Sequence, residues 1–109
     1  MDCGLAVNPD SVAAQMEGGI AFGLSTTFLS EITLADGRVE QSNFDGFQLI
    51  SLAQMPEIHV QIVESAEKPG GAGEEAVAPV APAVANAIHA ATGKRIRSLP
   101  LARQGITLV

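Results

Sequence analysis

The chain has 109 residues, one cysteine and a net charge of −6. This length predicts a single domain, residues 1–109, with a modest core, and 47% hydrophobic against 17% charged residues argues against disorder. The acidic balance and the absence of Tyr and Trp argue against a nucleic-acid partner, a lone cysteine excludes an internal disulfide, and no apolar run reaches the roughly 20 residues of a transmembrane segment.

The first predicted element is a long helix that begins after Asn8. Asn8 suits the N-cap and Pro9 suits the first helical position. Apolar side chains then recur every four residues and predict the buried face of this helix. They are Val12, Met16, Ile20, Leu24 and Phe28.

Three glycines interrupt this helix, at Gly18, Gly19 and Gly23. Each is less favourable than alanine by roughly 1 kcal/mol in a helix, so a compensating interaction is expected. Glycine permits the close approach of another backbone or of a ligand. The sequence leaves both explanations open.

The middle of the chain predicts strands. Asp36–Gly37 favours a two-residue hairpin turn between two short strands, because both positions of that turn adopt positive φ. Residues 58–62 alternate apolar and polar side chains, which predicts a third strand with His59 on its solvent side. His59 and His89 have no carboxylate at ligand spacing, and no metal site is predicted.

A glycine-rich loop precedes the second predicted helix, Pro79–Thr92, whose prolines are placed in its first turn. The segment after Gly93 predicts an extended tail or an edge strand. The fold class is therefore α+β, with two helices packed on a small, mainly antiparallel sheet of three or four strands.

Glu74 and Glu75 lie between the glycine-rich loop and this second helix. One interpretation is structural, since acids before a helix N-terminus complement the helix dipole. The other is functional, because glycines let backbone amides approach a ligand while a nearby carboxylate serves as a general base. Burial beside a like-charged neighbour would strengthen such a base.

Three stretches in this order closely resemble the C-terminal end of the large, molybdopterin-binding subunit of xanthine dehydrogenase/aldehyde oxidase-type molybdenum hydroxylases. The similarity covers nearly the whole chain and is strongest to isoquinoline 1-oxidoreductase beta subunits. The stretches are "DCGLAVNPDSVAAQMEGGIAFGLSTTFLSEITLADGRVEQSNF", "MPEIHVQIVES" and "KPGGAGEEAVAPVAPAVANAIHAATGKRIRSLPL".

The resemblance implies roles for five residues. Glu74 falls at the position of the family's active-site glutamate, the base that takes a proton from the water-derived oxygen. Gln15 matches a glutamine that approaches the molybdopterin, and Gly18 and Gly19 belong to the same motif, while Gly73 lies beside the base. Many relatives have proline at the position of Glu75, which leaves the effect of that acid on the base open.

The resemblance also implies a larger assembly. Such subunits are several times longer, hold the molybdenum cofactor, transfer electrons to an iron–sulfur small subunit and oxidise an N-heterocycle or an aldehyde. We therefore expect a C-terminal segment that supplies a base and one wall of the cofactor pocket, binds no cofactor alone and has no turnover alone. The alternative is a non-catalytic folding or interaction module that keeps the family scaffold. Cytoplasmic and periplasmic locations both remain open.

Overall fold

The computed structural model describes residues 1–108, and Val109, the last residue of the predicted tail, lies outside the described part. The chain forms two helices, one hairpin and two short 3-10 helices. In chain order these are α1 (Pro9–Phe28), β1 (Leu34–Ala35), β2 (Arg38–Val39), a 3-10 helix at Leu52–Gln54, α2 (Val77–Thr92) and a 3-10 helix at Leu101–Gln104.

Helix α1 begins as predicted from the sequence. Asn8 has an extended backbone with φ −134°, and its side-chain Oδ1 accepts a hydrogen bond from the Ser11 amide at 3.1 Å. Pro9 occupies the first helical position, where its missing N–H removes no helical hydrogen bond. The predicted N-terminus of this helix is confirmed.

We expect Asn8→Ala to lower the free energy of unfolding by about 1 kcal/mol, because the Ser11 amide then loses its side-chain acceptor. Asn8→Asp is the matched control, since it keeps an acceptor oxygen at the positive end of the helix. Urea denaturation of the three proteins measures the effect. Equal stability of the alanine variant and the unaltered protein would contradict the prediction.

The hairpin also forms as predicted. Asp36 and Gly37 have φ values of +50° and +75°, the positive values that a type I′ turn requires. Leu34 pairs with Val39 and Ala35 with Arg38 in antiparallel register. Both strands are only two residues long and are exposed.

The predicted third strand is not confirmed, because the sheet within residues 1–108 has two strands and not three or four. Residues 58–62 keep the alternation of half-buried and exposed side chains that the sequence indicates. Their backbone contact is limited to one end, where the Met1 amino group donates to the Gln61 carbonyl at 2.9 Å and the Val63 amide donates to the Met1 carbonyl at 2.8 Å. Alternation indicates which side chains are buried. A β-strand also needs a neighbouring strand whose backbone groups form hydrogen bonds with its own.

Helix α2 begins two residues earlier than predicted, at Val77, so Pro82 lies beyond the first turn and not within it. The helix tolerates Pro82 because this residue is exposed at the surface. Proline has no N–H to donate to the carbonyl four residues earlier, and water can bind that carbonyl instead. Gly93 ends the helix in the left-handed conformation, with φ +74°, and donates to the His89 carbonyl at 2.8 Å. This end was predicted from the sequence.

The core lies between the two helices and the C-terminal segment. The prediction of an extended tail is wrong for residues 101–104, which form a 3-10 helix whose first residue is fully buried. The reason is that the tail contributes apolar side chains to the core, and Arg103 also forms an ion pair with Glu31 after α1. The core residues are Leu24, Phe28, Val80, Ile96 and Leu101.

The two helices approach each other closely at two glycines of α1. A Cβ at Gly19 would lie 2.9 Å from the Ala76 Cβ, and a Cβ at Gly23 would lie 2.7 Å from the Val80 Cγ2. Atoms at such distances overlap, so only glycine fits at these two positions. Packing within the domain therefore explains Gly19 and Gly23, and Gly18 needs a separate explanation.

Candidate functional site

The N-terminal residues hold the glycine-rich loop in place. The Leu5 amide donates to the Glu67 carbonyl at 3.0 Å, and the Gly70 amide donates to the Cys3 carbonyl at 2.8 Å. Cys3 is buried at this junction, where it packs as a small apolar side chain. These contacts attach the start of the loop to the segment that leads into α1, so loop and helix face one another.

A cleft of about 550 Å³ lies between α1 and the loop that leads into α2. We call it the Gln15–Glu74 cleft. All five residues singled out in the sequence line it, together with four that the sequence did not indicate. The lining residues are Ala14, Gln15, Gly18, Gly19, Phe22, Gly73, Glu74, Val77 and Ala78.

Gln15 and Gly73 face each other across this cleft. A Cβ at Gly73 would lie 3.7 Å from the Gln15 Oε1, and the Gly73 carbonyl lies 3.6 Å from the position of a Cβ on Gly19. Gln15 is exposed, and its side-chain amide can both donate and accept hydrogen bonds. The loop and the helix thus meet at a point that offers polar groups to a ligand.

Gly18 differs from the two packing glycines because it faces open space. Apart from its chain neighbours and the adjacent backbone of α1, no atom of residues 1–108 lies within 4 Å of the position that a Cβ would occupy there. Because Gly18 has no side chain, the cleft wall is flat at this position. Packing against neighbouring residues does not require glycine there. Of the two explanations that the sequence left open for the helix glycines, packing accounts for Gly19 and Gly23, whereas Gly18 fits the approach of a ligand.

Phe22 is the aromatic one of the four cleft residues that sequence analysis missed. Its side chain is 49% exposed. The available signal was its spacing, because Ala14, Gly18 and Phe22 follow one another every four residues and therefore share a face of α1. That row lies on the side of α1 roughly opposite the apolar stripe and presents a small, a missing and an aromatic side chain to the cleft.

Glu74 lies at the rim of the cleft and is exposed, as is Glu75. The Glu74 carbonyl accepts a hydrogen bond from the Val77 amide at 2.9 Å, and the Glu74 amide donates to the Glu75 Oε2 at 3.1 Å. The functional interpretation of the sequence expected Glu74 to be buried, because burial would make it a stronger base. Residues 1–108 alone do not bury it.

The chemistry of the cleft fits one face of a pterin-type cofactor. Such a group presents a flat ring with hydrogen-bonding edges, which matches a side-chain amide at Gln15 beside a wall without a side chain at Gly18. The loop at Gly73 adds backbone groups that a ligand can approach closely. The cleft is open on its other side, so these residues form one wall and not an enclosed pocket.

Two kinds of feature are absent from residues 1–108. No three His, Cys, Asp or Glu side chains cluster as metal ligands there. No helix there combines the length and apolar character of a membrane span.

Comparison with known proteins identifies relatives of the whole chain. A family model described as "Molybdopterin cofactor-binding domain" matches residues 1–56. Isoquinoline 1-oxidoreductase subunit beta of Brevundimonas diminuta is 39% identical over 93% of this chain and 13% of its own length. The membrane-bound aldehyde dehydrogenase (pyrroloquinoline-quinone) of Gluconacetobacter polyoxogenes is 35% identical over the same shares of both chains.

Solved structures agree with this relationship. Quinoline 2-oxidoreductase from Pseudomonas putida 86 superposes with a TM-score of 0.75 at 28% identity, over 92% of this chain and 14% of that one. The chain thus spans about 13% of the length of the curated relatives named above. The expected resemblance to molybdenum hydroxylases is confirmed. Because the family model covers just over half of the residues, the chain belongs to the molybdopterin cofactor-binding domain family.

Proposed function

We propose that this chain forms one wall of the molybdenum cofactor site in a larger molybdenum hydroxylase subunit and supplies its active-site base. One observation carries the proposal. Gln15, Gly18, Gly19, Gly73 and Glu74, which are separated by up to about 60 positions in the sequence, line a single cleft. Family membership supports the identity of the cofactor, since the matching family model is that of a molybdopterin-binding domain.

Each residue of the cleft has a distinct task in this proposal. The Gln15 amide hydrogen-bonds an edge of the pterin, while Gly18 and Gly73 let its face and the substrate approach the backbone. Gly19 acts indirectly, because its contact with Ala76 sets the distance between the helix and the loop. When bound, the cofactor supplies the metal that accepts electrons from the substrate.

Glu74 is the general base of the proposed site. Its carboxylate accepts a proton from the water that supplies oxygen to an electron-poor carbon of the substrate. The carboxylate lies at the rim of the cleft and is exposed in residues 1–108, so the remaining wall must come from the rest of the subunit. We therefore propose that the isolated chain is inactive.

The substrate class follows from the relatives and belongs to the same proposal. One relative is named for isoquinoline, another for aldehydes, and the solved structure is that of a quinoline oxidoreductase. An N-heterocycle or an aldehyde is the proposed substrate, with electrons leaving through an iron–sulfur partner subunit. The chain offers Phe22 as an exposed aromatic surface beside the base, which suits a flat ring.

The experiment that tests the cofactor site uses Gly18→Leu in the whole subunit that carries this chain. A Cβ at Gly18 would meet no atom of residues 1–108 outside the adjacent part of α1, and Gly18 lines the cleft. We therefore expect the leucine side chain to fill ligand space while the fold is kept. We expect molybdenum and pterin content to fall by about tenfold or more, the scale seen when residues around a metal site are altered. Metal analysis and pterin fluorescence measure both.

Ala87→Leu, on the exposed face of α2, is the matched control and is expected to keep about one cofactor per chain. Pyrroloquinoline quinone is quantified in parallel, because one relative is named for it. Full molybdenum and pterin content in Gly18→Leu would show that the cofactor lies elsewhere. Recovery of the quinone in place of the pterin would overturn the assignment of the cofactor.

A further inference from the structure

The exposed Glu75 side chain turns back toward the glycine-rich loop. Its Oε2 accepts a hydrogen bond from the Glu74 amide at 3.1 Å. Its Oε1 lies 3.0 Å from the position that a Cβ on Gly71 would occupy. A single carboxylate therefore accepts a hydrogen bond from the Glu74 amide and occupies the space where a Gly71 side chain would begin.

This contact completes the restraint of the Glu74 backbone. The Glu74 carbonyl is held by the Val77 amide of the first turn of α2, at 2.9 Å. The Glu74 amide has the Glu75 carboxylate as its partner. Since the direction of the Cα–Cβ bond follows from the backbone, two hydrogen bonds on either side of the Glu74 Cα set the direction in which its side chain leaves the loop.

The glycine at position 71 has a specific reason in this arrangement. A Cβ there would meet the Glu75 Oε1 at a distance tighter than ordinary contacts, whereas a Cβ at the neighbouring Gly70 would lie 3.6 Å from the Cys3 carbonyl oxygen, an ordinary contact. Neither glycine has a positive φ, so backbone conformation does not require glycine at either position. Room for the Glu75 carboxylate distinguishes Gly71 from Gly70.

We propose that Glu75 is a positioning residue that acts through Glu74, by holding its amide, and that Gly71 is glycine to make room for this contact. The inference rests on the proposed function of Glu74 as the base. A hydrogen bond from an N–H to a carboxylate is stronger than one between neutral groups, and it holds the loop in one conformation. The alternative is a solvated acid whose removal changes nothing at Glu74.

The test compares Glu75→Ala with Glu75→Gln in the whole, cofactor-loaded subunit. Hydrogen exchange of a peptide that contains residues 70–76 is expected to accelerate in Glu75→Ala, because the Glu74 amide loses its acceptor. Glu75→Gln keeps an acceptor oxygen and is expected to restore most of the protection. Unchanged exchange in Glu75→Ala would overturn the proposal, as would equal exchange in the two variants.

Kinetics provide the second readout. For Glu75→Ala we expect kcat to fall about 10- to 100-fold with KM and cofactor content unchanged, the scale of a catalytic group displaced by about 1 Å. Glu75→Gln is expected to recover most of kcat. A loss of cofactor, or a rise in KM alone, would indicate a general structural role and would contradict positioning.

The two glycines supply a matched pair. Gly71→Ala is expected to reproduce the effects of Glu75→Ala, whereas Gly70→Ala is expected to leave exchange and kcat near their original values. Combining Gly71→Ala with Glu75→Ala should add nothing further, because both changes remove the same contact. Additive effects would overturn the assignment of Gly71.

Failure of this inference is distinguishable from failure of the proposed function. If Glu74→Gln lowers kcat while Glu75→Ala changes neither exchange nor kcat, the positioning role alone is wrong. If Glu74→Gln leaves kcat unchanged, the base assignment is wrong, and the positioning role of Glu75 falls with it even where the exchange data show the hydrogen bond.

Discussion

Glu74→Gln in the whole subunit is expected to slow the chemical step by about 10²- to 10⁴-fold, the usual contribution of a general base. Glutamine keeps the size and most of the hydrogen-bonding capacity of glutamate but accepts no proton at neutral pH. The substituted side chain is exposed at the rim of the cleft, so the fold and the contact between Gln15 and Gly73 are preserved. Steady-state or rapid-reaction kinetics with an N-heterocycle or an aldehyde measure the effect.

Glu17→Gln is the matched control for this prediction. It makes the same chemical change at an exposed position of α1 that does not line the cleft. Molybdenum and pterin content must be equal in both variants, because loss of cofactor would imitate loss of the base. If kcat is the same for Glu74→Gln, Glu17→Gln and the unaltered subunit, the catalytic role of Glu74 is refuted.

That neutral outcome would favour the non-catalytic module instead. A module that only folds against other parts of a protein depends on its packed surfaces and not on a carboxylate at a rim. Val84 lies on α2 and packs against the core, so a polar residue there should impair assembly under the module hypothesis while Glu74→Gln has no effect. The base hypothesis therefore predicts that substitution of Glu74 lowers kcat, whereas the module hypothesis predicts that substitution of Glu74 has no effect and that substitution of Val84 impairs assembly.

Local rules predicted the elements whose causes lie within a few residues of one another. Asn8 and Pro9 placed the start of α1, Asp36 and Gly37 placed the hairpin, and Gly93 placed the end of α2. Each of these signals is a matter of one backbone conformation or one nearby hydrogen bond. A sequence contains that information directly.

Elements that depend on distant partners were predicted less well. Residues 58–62 have the alternation of a strand but no ladder within the described chain, and Leu101 is buried in a 3-10 helix where an extended tail was expected. In both cases the outcome depends on what packs alongside, which periodicity does not report. Phe22 was missed for the same reason, since exposure beside a cleft is a tertiary property.

The candidate site combines local signals with family resemblance. Composition indicated that the glycines needed a compensating contact, but it left ligand and packing as equal explanations. The geometry separates them, because Gly19 packs against Ala76 at the N-cap of α2 and Gly23 packs against α2 itself, whereas a Cβ at Gly18 would meet no atom of residues 1–108 outside the adjacent part of α1. The glycine cluster of α1 therefore serves two purposes. Gly19 and Gly23 allow close packing, and Gly18 keeps the wall of the cleft open.

Alanine at Gly23 and alanine at Gly18 are therefore expected to change stability in opposite directions. At Gly23 the new Cβ would lie 2.7 Å from the Val80 Cγ2 and 2.9 Å from the Val77 carbonyl oxygen. Val80 is buried and β-branched, so it has little rotamer freedom, and the Val77 carbonyl is backbone. Helix α2 must move away, and overpacking of this kind destabilises by typically about 1–3 kcal/mol.

At Gly18 the new methyl group meets no protein atom. Alanine is favoured over glycine in a helix by about 0.5–1 kcal/mol, so Gly18→Ala is expected to stabilise the protein by that amount. The same helix-propensity gain offsets part of the loss at Gly23, which leaves a net destabilisation of about 1–2 kcal/mol there. Urea denaturation of the two variants measures the difference in sign.

A double variant identifies the contact responsible. Val80→Ala removes the Cγ2 atom that the new methyl group at Gly23 would strike but keeps the Val80 Cβ, 2.8 Å from that methyl group, so Gly23→Ala should destabilise somewhat less when Val80 is already alanine. The coupling between the two changes is expected to lie between about 0.5 and 3 kcal/mol. Zero coupling would place the strain on the Val80 Cβ and the Val77 carbonyl instead, and stabilisation by Gly23→Ala alone would show that the helices are farther apart than this packing requires.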